Sequence, residues 1–255
     1  MLVITTAMKQ EADSVRRCLK GLREVSGPGY RAWRGNRNGA DVLSVETGMG
    51  KEAARTAMRA VLEKNRAEAI VSIGFGGALT PDLQPGHIIL CSTTLHHQHQ
   101  SAPSHYTADE KLLQAAAQSL QSSRNGWNTG SGVTVLKIAD HEMKEQLRTR
   151  FGAAVCEMED AWLAGEAREY GAPFLAVRVI MDEFRDEMDP YLEMGWMLDA
   201  DGKINLRAVL SSLTTRPDRI KALFSAFRAY RKARAGIEHF VTLFLDNGLP
   251  CIRGA

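Results

Sequence analysis

Residues 153–182 read AAVCEMEDAWLAGEAREYGAPFLAVRVIMD, and this stretch decides the predicted fold. Its apolar runs, AAVC at the start and FLAVRVI near the end, have the continuous hydrophobicity of strands buried in a parallel or mixed sheet, and the residues between them have a helical pattern. Glu157 and Glu159 follow the first predicted strand, and Asp182 ends the second. Ligands of open α/β sheets bind outside the carboxyl ends of the strands. We therefore expect these three acids to line one pocket.

The size and composition of the chain indicate a globular α/β protein. Its 255 residues, 44% hydrophobic and 24% charged, suit one domain spanning residues 1–255, with residues 210–250 as a C-terminal helical extension. The formal net charge of +2 gives no reason to expect nucleic acid as a partner. The first residues lack the basic segment of a signal peptide, and no apolar run approaches the roughly 20 residues of a membrane span, so we expect a cytoplasmic protein.

The sequence gives little support for a metal or another cofactor. Its four cysteines are widely scattered and form no CxxC pair, so neither a zinc site nor a disulfide framework is expected. The histidines of residues 96–99, with His105 nearby, raise a metal-site alternative, but no acid or cysteine completes a recognisable ligand set. A polar loop at the mouth of the pocket or at a subunit contact is the better interpretation.

Glu11 lies where the predicted first strand, residues 2–5, gives way to a helix predicted over residues 11–22. The helix dipole favours an acid in the first helical turn by about 0.3–1 kcal/mol, and this is a sufficient structural reason for a glutamate here. The same position also lies at the carboxyl edge of the predicted sheet. Glu11 is therefore a candidate for either a structural or a chemical role.

Two glycine-rich segments also follow predicted strands. The first opens a helix that we predict to end near Leu62, and a glycine turn at a helix N-terminus can present main-chain N–H groups to a ligand. The second follows the predicted strand 69–73, where clustered glycines allow a close approach of a ligand or simply a tight exit from the strand. The candidate binding residues of these segments are Gly48, Gly50, Phe75, Gly76 and Gly77.

The last third of the chain contains two segments with open interpretations. Residues 183–203 are acidic and methionine-rich and end in a strong turn, so they are either a lid over the pocket or a solvated connector. Residues 217–245 have a helical apolar stripe that includes Phe224 and Tyr230, with many basic residues on the remaining surface. This helix either packs on the sheet or lies at the surface of an anionic membrane as a peripheral contact.

Taken together, the Glu157-Met158-Glu159 motif, the helix after it, the apolar strand that begins at Phe174 and the closing Asp182 resemble the nucleoside phosphorylase and nucleosidase superfamily. The methylthioadenosine/S-adenosylhomocysteine nucleosidases and the related hopanoid-associated phosphorylases are the most similar members. The resemblance covers residues 3–209. It implies a three-layer αβα fold with a central mixed β-sheet and an enzyme that cleaves the N-glycosidic bond of a purine nucleoside.

The resemblance also implies a role for each acid. Asp182 would protonate or hydrogen-bond the purine N7, and Glu11 would position and deprotonate the attacking water. Glu159 would accept hydrogen bonds from the ribose hydroxyls, Met158 would pack on the sugar, and Glu157 would help to shape the ribose site. The glycine segments would lie beside the ribose and the nucleophile, and the family suggests a homodimer that completes the 5′ pocket across its interface.

Several departures from the family pattern bear on the nucleophile and the base. Phosphorylases of this superfamily hold phosphate with an arginine and a serine, but this chain has Ser72 and Phe75 at those positions, so water is the expected nucleophile. Met181 stands where the methylthioadenosine enzymes have a serine that supports the aspartate. The segment expected to contact the base has no aromatic residue, and Leu136 or Ile138 could provide an apolar platform instead.

The substrate and the reaction therefore keep alternatives. Adenosylhopane-type substrates fit the acidic turn and the basic C-terminal helix better than methylthioadenosine does. Phosphorolysis is the alternative reaction, with phosphate held by the main chain at residues 48–50 and 74–77. A catalytically silent nucleoside-binding protein is the alternative from another class, although it would not need both a leaving-group acid and a water-side base.

Overall fold

The computed structural model describes residues 1–96, 104–123, 125–186 and 220–248, with side chains in the last range from Phe224 onward. The strands are β1 Leu2–Thr6, β2 Lys20–Glu24, β3 Arg31–Arg37, β4 Ala40–Glu46, β5 Ala69–Ala78, β6 Ile88–His96, β7 His105–Thr107, β8 Trp127–Thr134, β9 Val155–Glu157 and β10 Phe174–Asp182. The helices are α1 Lys9–Arg17, α2 Lys51–Lys64, α3 Glu110–Leu120, α4 His141–Phe151, α5 Asp160–Glu169 and α6 Ile220–Leu243, and α6 continues into a π-helical turn, Phe244–Gly248.

All of these strands belong to one mixed sheet. They run in the order β10-β6-β8-β9-β5-β1-β4-β3-β2, with β7 paired to β6. Because β10 pairs with β5 as well as with β6, the strands β10, β6, β8, β9 and β5 close a ring at one side of the sheet. The neighbours β1, β5 and β10 are parallel to one another, so their carboxyl ends lie at the same edge.

Helices cover both faces of the sheet. Side chains alternate between the two faces of a strand, and β1 shows this clearly. Leu2 and Ile4 belong to the buried cluster that contains apolar residues of α1, α3 and α6, whereas Val3 belongs to the cluster that contains those of α2 and α5. The three-layer αβα architecture with a central mixed sheet is therefore confirmed.

We expected the glycine-rich segment after residue 73 to follow the strand. It is instead part of β5. The strand runs to Ala78, and every residue in it is buried. The extension is possible because the glycines leave room for neighbouring side chains. A Cβ atom at Gly77, for example, would lie 2.8 Å from Oδ2 of Asp182.

Two element predictions near the sheet edges were wrong. The first helix ends at Arg17 instead of residue 22, because Cys18 is its C-terminal cap and Gly21 has a left-handed φ of +62°. The chain then forms β2, which pairs with β3 at an exposed edge of the sheet. The sequence also predicts a loop over residues 122–130, but this segment already contains the start of β8, because pairing with β6 extends that strand back to Trp127.

Helix α6 packs against the sheet, as the first of the two interpretations predicted. Tyr230, Ile237 and Phe240 are buried in the cluster of α1 and α3, and burying a side chain of this size contributes about 1.5–3 kcal/mol. Gly236 allows the close packing, since a Cβ atom there would lie 2.6 Å from Cγ1 of Val179 on β10. Phe224, predicted to belong to the apolar stripe, is instead 66% exposed.

Some of the predicted features lie outside the described residues. These are the histidines at 97 and 99 and all of the acidic segment beyond residue 186. His96 ends β6 and is buried with its ring centroid 4.1 Å from that of Trp162. Within the described ranges, no helix is long and apolar enough to cross a membrane, and no cluster of three or more His, Cys, Asp or Glu residues could hold a metal ion.

Candidate active site

A cavity of about 240 Å³ opens where the glycine segment of β5 meets the carboxyl ends of β9 and β10. Its lining residues are Ala7, Met8, Glu11, Met49, Phe75, Gly76, Gly77, Val135, Ile138, Ala139, Cys156, Glu157, Met158, Glu159, Met181 and Asp182. A wider depression is formed by residues 62–68 and 170–173. These residues come just before β5 and β10 in the chain, so the depression lies at the amino-terminal ends of the two strands. Ligands of such sheets bind at the other edge, so the smaller cavity is the candidate site.

The cavity brings together most of the residues that the sequence singled out. The four acids Glu11, Glu157, Glu159 and Asp182 all line it, together with Met158, Phe75, Gly76 and Gly77. Gly48 and Gly50 do not line it, but Met49 between them does. Both glycines have φ above +80°, and this left-handed turn directs the Gly50 N–H to Oε1 of Glu159, 2.8 Å away.

Glu11 combines its two candidate roles. Its Oε2 accepts hydrogen bonds from the N–H groups of Ala7 (3.0 Å) and Met8 (2.9 Å), which caps the first turn of α1, and its Oε1 accepts one from Phe75 N–H on β5 (2.8 Å). Burial raises the pKa of Glu11 to about 7, although the charge of Arg178 and these hydrogen bonds oppose the rise. A carboxyl group with a pKa near neutrality is suited to act as a general base.

Glu157 mainly organises the start of α5. Its Oε2 accepts hydrogen bonds from the N–H groups of Glu159 and Asp160, each 2.7 Å long, and its Oε1 accepts one from the Thr134 hydroxyl. Burial, with the charge of Asp160 second, raises the pKa of Glu157 to about 8. Glu159 is also buried, and burial raises its pKa. The motif therefore places two acids with raised pKa values beside the same cavity.

Arg178 is a buried residue behind the cavity lining that the sequence reasoning missed. It lies in the middle of β10 and is 2% exposed. Its Nε donates to Oδ2 of Asp160 (2.7 Å), and its Nη2 donates to Oδ1 of Asp160 and to the Ser72 hydroxyl (2.8 Å). A charged residue inside the apolar run FLAVRVI was the available signal, because an arginine is almost never fully buried without a partner.

Lys144 is a second missed residue. Its Nζ donates a hydrogen bond to Oδ2 of Asp182 and another, 2.6 Å long, to the main-chain oxygen of Glu183. Burial raises the pKa of Asp182, and the Lys144 charge opposes the rise. No sequence pattern marked this lysine, since α4 is otherwise a mostly exposed helix.

The remaining surface of the cavity is apolar. Met8, Met49, Met158, Met181, Val135 and Ile138 all contribute to it. Of the two residues considered as a platform for a base, Ile138 lines the cavity and Leu136 is 67% exposed. No lysine, arginine or histidine is among the described residues of the lining.

The architecture and the cavity define the class of protein: a three-layer α/β protein with an acidic cavity at the carboxyl ends of its central strands. The family model of the phosphorylase superfamily matches residues 1–213, and the chain belongs to that superfamily. The resemblance inferred from the sequence motifs is thereby confirmed.

Individual relatives are similar over most of their length. The 5′-methylthioadenosine/S-adenosylhomocysteine nucleosidase of Tolumonas auensis is 27% identical over 214 residues, covering 75% of this chain and 91% of the relative. That of Geobacillus thermodenitrificans is 25% identical over 236 residues, covering 86% and 98%.

Solved structures show the same fold. The Neisseria meningitidis nucleosidase of this name, in complex with methylthio-immucillin-A, has a TM-score of 0.74 at 19% identity and covers 95% of this chain and 97% of its own. The futalosine hydrolase of Helicobacter pylori has a TM-score of 0.74 at 16% identity and covers 96% and 97%.

The raised pKa of Glu11 predicts a pH-dependent stability. Because its pKa is about 7 in the folded protein and about 4.5 in the unfolded chain, its contribution is fully present below pH 4.5 and is lost as the pH rises through 7. This difference corresponds to about 3 kcal/mol. In Glu11→Gln, we expect the loss of unfolding free energy between these pH values to be about 3 kcal/mol smaller, as measured by urea denaturation at each pH.

The matched control for this measurement is Glu145→Gln, which removes one exposed carboxylate from α4. We expect it to retain the wild-type pH dependence. If the unfolding free energy of Glu11→Gln depended on pH as strongly as that of the wild type, Glu11 would not titrate with a raised pKa.

Proposed function

We propose that this protein hydrolyses the N-glycosidic bond of an adenine nucleoside that carries an apolar 5′ substituent. The observation that carries the proposal is a cavity lined by four carboxyl groups and apolar side chains, with no basic side chain among the described lining residues. Breaking this bond develops positive charge on the sugar, and fixed carboxylates stabilise such charge. The names of the relatives, which are nucleosidases of adenine nucleosides, support the same chemistry.

Two acids carry the reaction in this proposal. Glu11 accepts a proton from water as the water oxygen bonds to C1′ of the sugar. The bond from C1′ to the base breaks, its electron pair goes to the purine, and Asp182 donates a proton to N7. The products are adenine and the free sugar, and both acids exchange protons with solvent before the next turnover.

The other lining residues bind the nucleoside. Glu159, held at one oxygen by Gly50 N–H, accepts hydrogen bonds from the ribose hydroxyls, and Met158 packs on the sugar. Glu157 shapes this part of the site through its hydrogen bonds to the start of α5. The further binding residues are Gly48, through the turn that it forms with Gly50, and Phe75, Gly76 and Gly77, through the main chain of β5.

Water is a better nucleophile than phosphate for this site. Phosphate needs charge-assisted hydrogen bonds, preferably from an arginine. Arg178 is close to the site, but it donates to Asp160 and Ser72, and its Nη2 lies 3.7 Å from Oε2 of Glu157. A phosphate ion in the cavity would meet four carboxyl groups and no uncommitted cation among the described lining residues.

The apolar lining supports a substrate with an apolar group at the 5′ position. Met8 and Met49 line the cavity, and Met49 is 67% exposed at its mouth. A methylthio group and a larger hydrophobic group both fit this character. The two substrate classes that we propose to compare are therefore the methylthioadenosine/S-adenosylhomocysteine type, of which the methylthio member has the apolar 5′ group, and the adenosylhopane type.

Adenine release from a panel of adenosines with different 5′ substituents, with and without phosphate, tests the reaction. We expect release that does not depend on phosphate, with the free sugar identified by mass. A sugar 1-phosphate formed only with phosphate would establish the phosphorylase alternative. Binding of adenine without cleavage of any nucleoside would establish the silent binder.

Asp182→Asn tests the leaving-group acid. Asparagine has nearly the same shape but has no carboxyl proton to transfer to N7, so we expect kcat for adenine release to fall by about 10²–10⁴-fold. Circular dichroism should show a folded protein, and the exposed-site variant Glu145→Gln should keep wild-type turnover. Near-normal turnover in folded Asp182→Asn would contradict the assignment.

We also propose that the protein is a cytoplasmic homodimer and that α6 makes a peripheral membrane contact. Exposed Met49 and Ile138 at the cavity support a partner subunit there, and exposed Phe224 with Arg228 and Arg231 supports the contact of α6 with anionic lipid. Sedimentation of the protein alone and with anionic liposomes at low salt tests both. A monomeric mass would contradict the dimer, and protein that stays in the supernatant would contradict the membrane contact.

A further inference from the structure

Lys144 is a buried cation behind the candidate site. Its exposed fraction is 0%, although lysine is among the residues least often buried. Only Lys144 and Leu147 of α4 are buried, so the lysine occupies one of the two inward positions of this helix. A buried charge requires a partner that offsets its lost hydration.

That partner is the proposed leaving-group acid. The Lys144 ammonium group donates to Oδ2 of Asp182, and it also donates to the main-chain oxygen of Glu183, 2.6 Å from Nζ. The pair lies directly against bare main chain at Gly77. A Cβ atom there would be 2.8 Å from Oδ2 of Asp182 and 3.3 Å from Cε of Lys144.

We propose that Lys144 is a positioning residue for base release, because its ammonium group fixes Oδ2 of Asp182 against Gly77 and leaves Oδ1 to contact the purine. The inference rests on the proposed function, since Asp182 lines the cavity and Lys144 does not. Lys144 thus acts on the reaction through Asp182. An aspartate side chain held at one oxygen has a fixed rotation, which a proton transfer to a ring nitrogen requires.

The charge of Lys144 also favours the ionised form of Asp182, against the effect of burial. Burial and the charge of Asp186 raise the pKa of Asp182, and Lys144 is the largest influence that lowers it. Without Lys144, the protonated form of Asp182 would persist to higher pH. Among the described residues, the titratable and charged groups that surround Asp182 or share its cavity are Lys144 on α4, Asp186 after β10, Cys156 and Glu157 on β9, Glu159 at the start of α5, and Glu11 on α1.

The test compares Lys144→Met with Lys144→Arg in adenine release as a function of pH. In Lys144→Met, we expect kcat to fall by about 10-fold or more while KM changes little, because the acid loses its fixed orientation. The falling limb of the pH profile, where Asp182 loses its proton, should move to higher pH by about one unit or more. Lys144→Arg keeps the charge and should keep the limb near its wild-type position.

Lys111→Met is the matched control, because it removes a positive charge from an exposed position on α3. It should have the wild-type pH profile and kcat. An unchanged kcat and an unmoved falling limb in Lys144→Met would overturn the inference and leave the proposed function standing.

A second measurement does not depend on turnover. In protein labelled with ¹³C at aspartate carboxyl groups, the resonance missing from Asp182→Asn identifies Asp182, and its titration midpoint should be higher in Lys144→Met than in the wild type. Equal midpoints would overturn the inference even if no nucleoside were cleaved. Failure of the wild type to release base, with a shifted midpoint, would instead count against the proposed function alone.

The folding of Lys144→Met is covered by a double variant. Removal of the lysine alone leaves a buried carboxyl group without its partner, whereas Lys144→Met/Asp182→Asn removes both charges. The double variant should therefore unfold at a higher temperature than Lys144→Met. An equal or lower unfolding temperature would show that the two side chains are not coupled.

Discussion

The ion pair between Arg178 and Asp160 is the interaction on which the rest of the site depends. It joins the middle of β10 to the first residue of α5, and the Ser72 hydroxyl on β5 bonds to both partners. A buried ion pair is stable only if its geometry is good and its other hydrogen-bonding groups are satisfied. The bidentate contact of the Arg178 guanidinium with the Asp160 carboxylate meets the first condition, and the Ser72 hydroxyl contributes to the second. Loss of either partner would leave an uncompensated charge in the core of the sheet, with an expected penalty of about 3–5 kcal/mol.

Arg178 of this pair also influences the pKa values of the acids at the cavity. The Arg178 charge lowers the pKa values of Glu11, Glu157 and Glu159, while burial raises all three. The packing is so close that β5 needs a glycine at this position. A side chain at Gly74 would collide with Nη1 of Arg178 and with Oε1 of Glu11. The glycines of β5 therefore leave room for the acids and for the cations that contact them, and they also form part of the cavity surface.

The sequence predicted the parts of this structure that depend on local pattern. Continuous apolar runs identified β10, and the acids at or just beyond the ends of β9 and β10 line one cavity, as expected. The extent of β5 and β8 could not be read in this way, because pairing with distant strands extends them through glycine-rich sequence. The early end of α1 was missed because the apolar spacing of residues 18–22 continues a helical pattern into an edge strand.

The cations of the site were harder to predict than its acids, for a physical reason. An acid at the end of a strand can be recognised from its position after an apolar run. A buried cation can be recognised only from its contacts in the folded protein. Lys144 contacts Asp182 across a separation of 38 residues, and Arg178 contacts Ser72 across 106. Neither separation has a local signature in the sequence.

The positions of these cations decide which ligand charge the site favours. Lys144 lies behind Asp182, and Arg178 lies among Asp160, Ser72 and Glu157, so both positive charges offset the acids from within the protein. The described surface of the cavity itself presents carboxyl groups and apolar atoms. Such a wall limits the penalty of burying several acids, and among the described residues it leaves carboxyl oxygens, not cations, facing a ligand. In the proposed reaction, this arrangement therefore favours a sugar that gains positive charge as its base departs over an incoming anion.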